Sequence, residues 1–295
     1  MYVVSLFLVP WLKAIDRDVK LFKIMGNTSI MIIFVPINIG AVGIKGQEQA
    51  PRKIWEELRR YESTWSLNRN RLRELEPVEL DIDNSNIEEA HRAIGEAVYK
   101  YMDNNPIFIG GDHSLTFPVF KALMDKYRDM GIIILDAHPD LEPYTINPSH
   151  DSWLRMLIDK GLDPSRVIIL GVRSIGEKEA EFIKERGIRI YNPLSIENDP
   201  EAISDIVMTT ARNWEKIWIS LDIDVIDPSF APGTYYNEPL GLKPLTLLYF
   251  LRRLLFLKNI IGLDLVEVNP LYDNRDITSR LAARLLVEAL EQQDL

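Results

Sequence analysis

Three short stretches of this chain carry residue types that bind cations and activate water. The segment Leu135-Asp136-Ala137-His138-Pro139-Asp140 closes the apolar run Gly131-Ile132-Ile133-Ile134-Leu135, with a carboxylate or an imidazole at every second position. If strand geometry persists through it, Asp136, His138 and Asp140 share one face. Asp222 and Asp224, two apart behind Ile217-Trp218-Ile219-Ser220-Leu221, repeat the spacing. His113 stands in Gly110-Gly111-Asp112-His113-Ser114, where glycines allow a backbone to approach a site closely. Three of the four histidines (His113, His138 and His150) fall within 38 residues that bracket the first acidic group.

Singly, each stretch has an ordinary explanation as a polar loop or a turn after a strand. Their charges change the reading when they are combined. Asp136, Asp140, Asp222 and Asp224, gathered at strand ends, cannot all stay ionised without compensation, and no lysine or arginine sits in either cluster. Two divalent cations would cancel four such charges, with His113 and His138 as neutral donors. Oxygen-rich ligation with some imidazole and no thiolate suits Mn²⁺ better than a closed structural Zn²⁺ site. Two ions roughly 3.5–4 Å apart hold a bridging water and lower its pKa towards neutrality. These residues predict a dinuclear metallohydrolase and leave its substrate open.

Such a site needs several strands that end together. Strand-like runs lie at Ser29 to Val35, Val78 to Asp81, Ile107 to Ile109, Ile132 to Leu135, Val167 to Leu170, Ile188 to Tyr191, Ile217 to Leu221 and Ile260 to Leu265. Helical spacing falls between them, at Arg52 to Tyr61, Phe117 to Arg128, Lys178 to Glu185 and Leu245 to Phe256. Ser85 and Glu88 read as a capping box that opens a helix whose apolar side includes Ile87, Ala90, His91, Ile94, Val98 and Tyr101. His91 on that stripe is a packing residue. The alternation predicts one α/β domain, a mostly parallel sheet of about eight strands with helices on both faces. Sites in such sheets belong at the carboxyl ends of the strands, where every polar cluster lies.

Composition bounds the partners. The 295 residues are 46% hydrophobic and 26% charged, ordinary for a globular chain. A formal charge of −10 disfavours nucleic acid or an anionic membrane as partner and is compatible with a small cationic substrate. The absence of cysteine rules out disulfides and thiolate ligands, and fits a cytoplasmic location. Val3 to Leu12 is apolar but too short to span a membrane, is broken by Pro10, and lacks a basic start because the first lysine is Lys13. Residues 1–28 therefore read as an N-terminal extension of no assigned role, with Met25 or Met31 as alternative starts, and residues 29–295 as the catalytic domain.

With those residues in place, the chain resembles the ureohydrolase (arginase/agmatinase) family. The likeness rests on Gly-Gly-Asp-His-Ser at 110–114, Asp-Ala-His-Pro-Asp at 136–140, Ser-Leu-Asp-Ile-Asp-Val-Ile-Asp-Pro-Ser-Phe-Ala-Pro-Gly at 220–233 and Asp-Leu-Val-Glu-Val-Asn-Pro at 264–270. Gln49-Ala50-Pro51-Arg52 and Gly171-Val172-Arg173 extend it, whereas the residues before Ile30 have no match. The resemblance implies two Mn²⁺ per subunit, one held by His113, Asp136, Asp140 and Asp222, the other by Asp136, His138, Asp222 and Asp224. It makes Glu267 the acceptor of a guanidinium, His150 the proton relay beside the metals and Asp140 the residue that orients the hydroxide. It also implies a homo-oligomer, a trimer or hexamer.

Within that resemblance, agmatine is favoured over arginine. The interval from Asp140 to His150 is short, as in agmatinases. Glu142 stands where arginases place a carboxamide for the α-carboxylate, and would repel that group while tolerating a far ammonium. Gly176 replaces the aspartate that receives an α-amino group in arginases, and Gly161-Leu-Asp-Pro-Ser-Arg-Val is agmatinase-like. The loop from Ile37 to Pro51 is more arginase-like. Asp151 replaces the family's glycine after the relay histidine, and Pro139 fills a variable slot. Thr234-Tyr235-Tyr236-Asn237-Glu238-Pro239-Leu240-Gly241-Leu242 replaces the usual Gly-Thr-Pro…Gly-Gly-Leu stretch. Tyr235 and Tyr236 are candidates to line the pocket and stack on a cation. The expected activity is hydrolysis of agmatine to putrescine and urea. The alternatives are an arginase, an amidinohydrolase acting on guanidinobutyrate or formiminoglutamate, and a non-catalytic member that binds a ligand or partner.

Overall fold

The computed structural model describes residues 30–43, 45–60 and 75–292. The N-terminal extension, Ser29 of the first expected strand and Tyr61 of the first expected helix lie outside them. Eight runs rich in aliphatic residues pair side by side as β1 (Ile32–Val35), β2 (Val78–Glu79), β3 (Ile107–Gly110), β4 (Met130–Leu135), β5 (Val167–Leu170), β6 (Arg189–Tyr191), β7 (Lys216–Asp222) and β8 (Ile260–Val266). All neighbours are parallel, in the order β2-β1-β3-β8-β7-β4-β5-β6.

Residues of alternate parity face opposite layers. Ile133, Leu135, Ile217, Ile219, Leu263 and Leu265 enter one core. Ile132, Ile134, Phe108, Trp218 and Val266 enter the other. The first core is covered by α1 (Ala50–Arg60), α7 (Pro200–Ala211), α8 (Pro244–Leu254) and α9 (Ile277–Gln292), with α6 (Pro193–Asn198) at its edge. The second lies under α2 (Ile87–Tyr101), α3 (Thr116–Lys126), α4 (Trp153–Asp159) and α5 (Glu177–Arg186). This is the single α/β domain that the alternation predicts. Among the described residues, no helix is long and apolar enough to cross a membrane.

Element edges move by one to three residues from the expected ones, and one cap moves for a visible reason. Ser85 is not the helix cap. Its hydroxyl donates to Asp83 Oδ1 at 2.6 Å, within a turn, so the cap passes to Asn86, whose Oδ1 accepts from the N–H groups of Glu88 and Glu89. His91 packs 5.5 Å from the Phe117 ring, and burial pushes its pKa down to about 4, as suits a packing residue.

The strand order decides where chemistry can happen. The chain leaves β3, lays β4 three strand positions away, builds outward through β5 and β6, and then returns to fill the two-strand gap with β7 and β8. The four central strands β3, β8, β7 and β4 therefore release their loops into one crevice at the carboxyl edge, the place where such sheets bind ligands.

Candidate metal centre

The acidic clusters do not converge by strand alternation. Strand β4 ends at Leu135, and Asp136 Oδ1 accepts the N–H of His138 at 2.7 Å, a turn closed by the aspartate side chain. Next door, β7 ends at Asp222, whose Oδ1 accepts the N–H of Asp224 at 2.8 Å. Leu135 and Leu221 are register partners, so the two turns stand side by side. The Asp224 carboxylate then locks them together by accepting the Ala137 N–H at 3.0 Å. Asp140 reaches the same spot through a backbone kink at φ 53°, in the left-handed region that is uncommon outside glycine. The shared-face expectation is corrected in its cause: turns, not pleats, bring these side chains together.

His113 Nδ1 lies 3.1 Å from Asp136, 3.0 Å from Asp140 and 3.2 Å from Asp222. His138 Nδ1 lies 2.9 Å from Asp224 and 3.6 Å from Asp136. Two groups of three donor atoms follow, His113–Asp136–Asp140 and Asp136–His138–Asp224, and Asp136 belongs to both. The structure thus places all six candidate ligands of the sequence in one cluster.

Electrostatics show what the cluster lacks. Burial pushes the Asp140 carboxyl up to about 7, helped by Asp136, and raises Asp222 well above its usual range, helped by Asp224 and Asp136. Burial works against charge on the imidazoles. Even so, the facing carboxylates push His138 up to about 12 and His113 well above the usual histidine value. The centre gathers protons because it is short of positive charge. His113 Nδ1 and Asp136 Oδ2 are also buried without a hydrogen-bond partner. Carboxylate oxygen and imidazole nitrogen without thiolate, with orphaned donor atoms turned inward, fit hard or borderline divalent cations.

The far side of His113 is held by groups that sequence reasoning missed. Its Nε2 lies 2.9 Å from Ser220 Oγ, Ser220 donates to Asp264 Oδ1 at 2.6 Å, and Trp218 Nε1 donates to Asp264 Oδ2 at 2.5 Å. With Nε2–H given to Ser220, Nδ1 keeps a lone pair for a cation, the outer hydrogen bonding that tunes metal-bound histidine. Trp153 Nε1 donates to Asp140 Oδ2 at 2.5 Å in the same way. Asp264 opens the Asp-Leu-Val-Glu-Val-Asn-Pro stretch, but a buried aspartate inside a strand gives no sequence signal of what it touches.

Glu267 follows β8 at φ 64°, buried. Its Oε1 accepts the His113 N–H at 2.8 Å, and Gln47 Nε2 reaches Oε2 at 3.4 Å. His150 Nδ1 stands 3.5 Å from Glu267 Oε1. Burial opposes a charge on His150, but Glu267 and then Asp112 outweigh it and push the pKa up to about 9. Both residues border a cavity of about 440 Å³ over the cluster. Glu142, Tyr235 and Tyr236 line it too. Tyr236 lies nearly parallel to the His150 ring (5.9 Å between centroids, 17°) and 5.3 Å from His138. The sequence did not single out Glu179 or Glu238, which also line the cavity. Glu179 braces its rim by accepting the N–H groups of Leu141 and Gly176 at 2.9 and 2.8 Å. A Cβ at Gly176 would fall 2.5 Å from Glu142 Oε1, so that carboxylate would have to swing aside.

Comparison with known proteins gives this centre relatives. The family model described as Arginase family matches residues 28–291. The chain is 31% identical over 269 residues to "Agmatinase, mitochondrial" of Gallus gallus, covering 87% of this chain and 78% of the relative. It is also 31% identical over 271 residues to "Guanidino acid hydrolase, mitochondrial" of Homo sapiens, covering 88% and 76%. The crystal structure of formimidoylglutamase from Bacillus subtilis superposes with a TM-score of 0.84 at 27% identity, over 93% of this chain and 89% of that one.

Proposed function

This chain belongs to the arginase family, and on that premise we propose that it hydrolyses the guanidino group of agmatine to give putrescine and urea. One observation carries the choice among the family's substrates. Eight carboxylates line the cavity (Asp140, Glu142, Asp151, Glu179, Asp222, Asp224, Glu238 and Glu267), and its described lining holds no lysine or arginine. Outside the metal cluster and Glu267, an acid such as guanidinobutyrate, or the carboxylate end of arginine, would meet the like charges of Glu142, Asp151, Glu179 and Glu238. Agmatine carries a cation at each end.

In this reading His113, Asp136, His138, Asp140, Asp222 and Asp224 hold two Mn²⁺. When bound, such a pair would supply a water acidified to hydroxide at neutral pH. Glu267 grips the guanidinium, which keeps its charge in any protein, through paired N–H···O contacts. Asp140, fixed by Trp153, orients the attacking water. Oxygen from that water joins the guanidino carbon, the bond to the alkylated nitrogen breaks, and both protons of the water end on the departing amine, which leaves as an ammonium beside neutral urea. His150, which borders the cavity 3.5 Å from Glu267 Oε1, is the group placed to relay a proton to the amine. Tyr235 and Tyr236 flank the alkyl chain, and Glu142 faces the far ammonium. The test is urea release with Mn²⁺ from agmatine, arginine, guanidinobutyrate and formiminoglutamate. Agmatine is expected to lead and His138→Ala to abolish turnover, whereas preference for either acid or for arginine overturns the substrate assignment.

A further inference from the structure

Among the described residues, the outside hydrogen bonds to residues 234–239, the stretch that carries the two tyrosines, come from one side chain. Residues 227–242 leave the end of β7 and return to it, and the neck is closed by Leu242 N–H to Val225 O at 2.9 Å and Asp227 N–H to Leu242 O at 3.0 Å. Gly233 is pinned by Thr278 Oγ1 and by the Asn269 N–H, both at 2.7 Å, and the Gly241 N–H is taken by Asp227 at 3.0 Å. Residues 234–239 lie between these anchors. Among the described residues, the hydrogen bonds that reach them from outside the stretch all come from Arg173. Its Nη2 donates to Glu238 O at 2.8 Å and its Nε to Pro239 O at 3.1 Å.

The same guanidinium grips the metal-ligand turn. Nη2 donates to Asp224 O at 2.7 Å and to Ile226 O at 3.4 Å, and Nη1 donates to Val225 O at 3.3 Å and Gly171 O at 3.4 Å. None of these partners is a carboxylate. A half-buried cation satisfied by main-chain carbonyls of three segments serves to register those segments, a task suited to the rigid five-donor fork of arginine and not to the point charge of lysine.

We propose that Arg173 is a positioning residue for specificity. It seats Tyr235 and Tyr236 over the cavity relative to the Asp224 turn, and so sets how the alkyl chain and far end of the substrate are held. The choice of substrate in its test rests on the agmatine reading, but the placement of the loop does not.

Arg173→Lys keeps the charge and removes the fork. Chymotrypsin is expected to cut the folded variant after Tyr235 or Tyr236 at least about tenfold faster than the parent, because opening of a loop sets its cleavage rate. KM for agmatine is expected to rise about tenfold with kcat within about threefold, while kcat/KM for methylguanidine, which has no far end, holds, since a misplaced binding wall costs only the substrate that uses it. The Mn²⁺ content of the variant should equal that of the parent. In a background with both tyrosines changed to alanine, Arg173→Lys should have no further effect on KM. Unchanged cleavage, equal losses on both guanidines, or loss of Mn²⁺ would each overturn the proposal. Arg173→Gln is the second variant if the lysine protein does not fold. Should the parent not hydrolyse agmatine, the functional reading falls, and the digestion still decides the role of Arg173.

Discussion

At the scale of single residues, the centre is built from the outside in. His113 is useful to a cation only while Nε2 carries the proton, and Ser220, backed by the buried Asp264, keeps it there. Ser220→Ala removes that acceptor and leaves His113 free to change tautomer and tilt. The expected result is a loss of about 10–100-fold in Mn²⁺ affinity of the metal-free protein, read by calorimetry, with the fold retained. An unchanged affinity would show that the ring is held by packing against Trp153, 4.8 Å away, instead.

At the scale of elements, the crevice depends on how closely strand-end loops approach one another. Gly111 is where three of them meet. A Cβ there would fall 1.7 Å from the carbonyl oxygen of Ile37, while the Gly111 carbonyl accepts the N–H of Glu267 at 2.9 Å. Gly111→Ala therefore has to part the β1 and β3 exit loops, an overpacking cost of about 1–3 kcal/mol. Thermal melting should show a Tm lower by several degrees, and an unaltered Tm would mean the loops yield freely. Runs such as Gly131 to Leu135 and Ile217 to Leu221 made the sheet legible in advance, because continuous aliphatic stretches have few other uses. The clustering of the six candidate ligand residues was legible because carboxylates and imidazoles crowd after those runs. What escaped was geometry made by turns. Spacing by two reads as pleat alternation, and only coordinates show Asp136 and Asp222 bonding to their own backbones. Long-range contacts such as Arg173 to Glu238 and Pro239 escaped for a similar reason, since they join residues 65 and 66 apart.

At the scale of the whole molecule, the ion-free protein folds around a concentration of negative charge. Divalent ions that bind only the folded chain must raise its stability, by about 2.7 kcal/mol at a hundredfold excess over Kd. The sign of the pH dependence follows from the protons they displace. Asp140 (about 7), His138 (about 12) and the raised His113 hold protons in the ion-free fold. For the histidines, the stability those protons confer is full below about pH 6.5 and fades as pH rises through the folded values. Ions compete with those protons, so the Tm gain on adding Mn²⁺ should grow from pH 6 to pH 8.5. A gain that shrinks over that range would place the binding elsewhere. The paired turns at the tips of β4 and β7 have a consequence of another kind. Each uses its leading aspartate to set the local backbone and presents the residue two positions on at its tip, His138 in one and Asp224 in the other. The two tips are not equivalent, because Asp224 also accepts the Ala137 N–H and ties one turn to the other, so exchanging them would loosen the pair and inserting a single residue into either turn would part it.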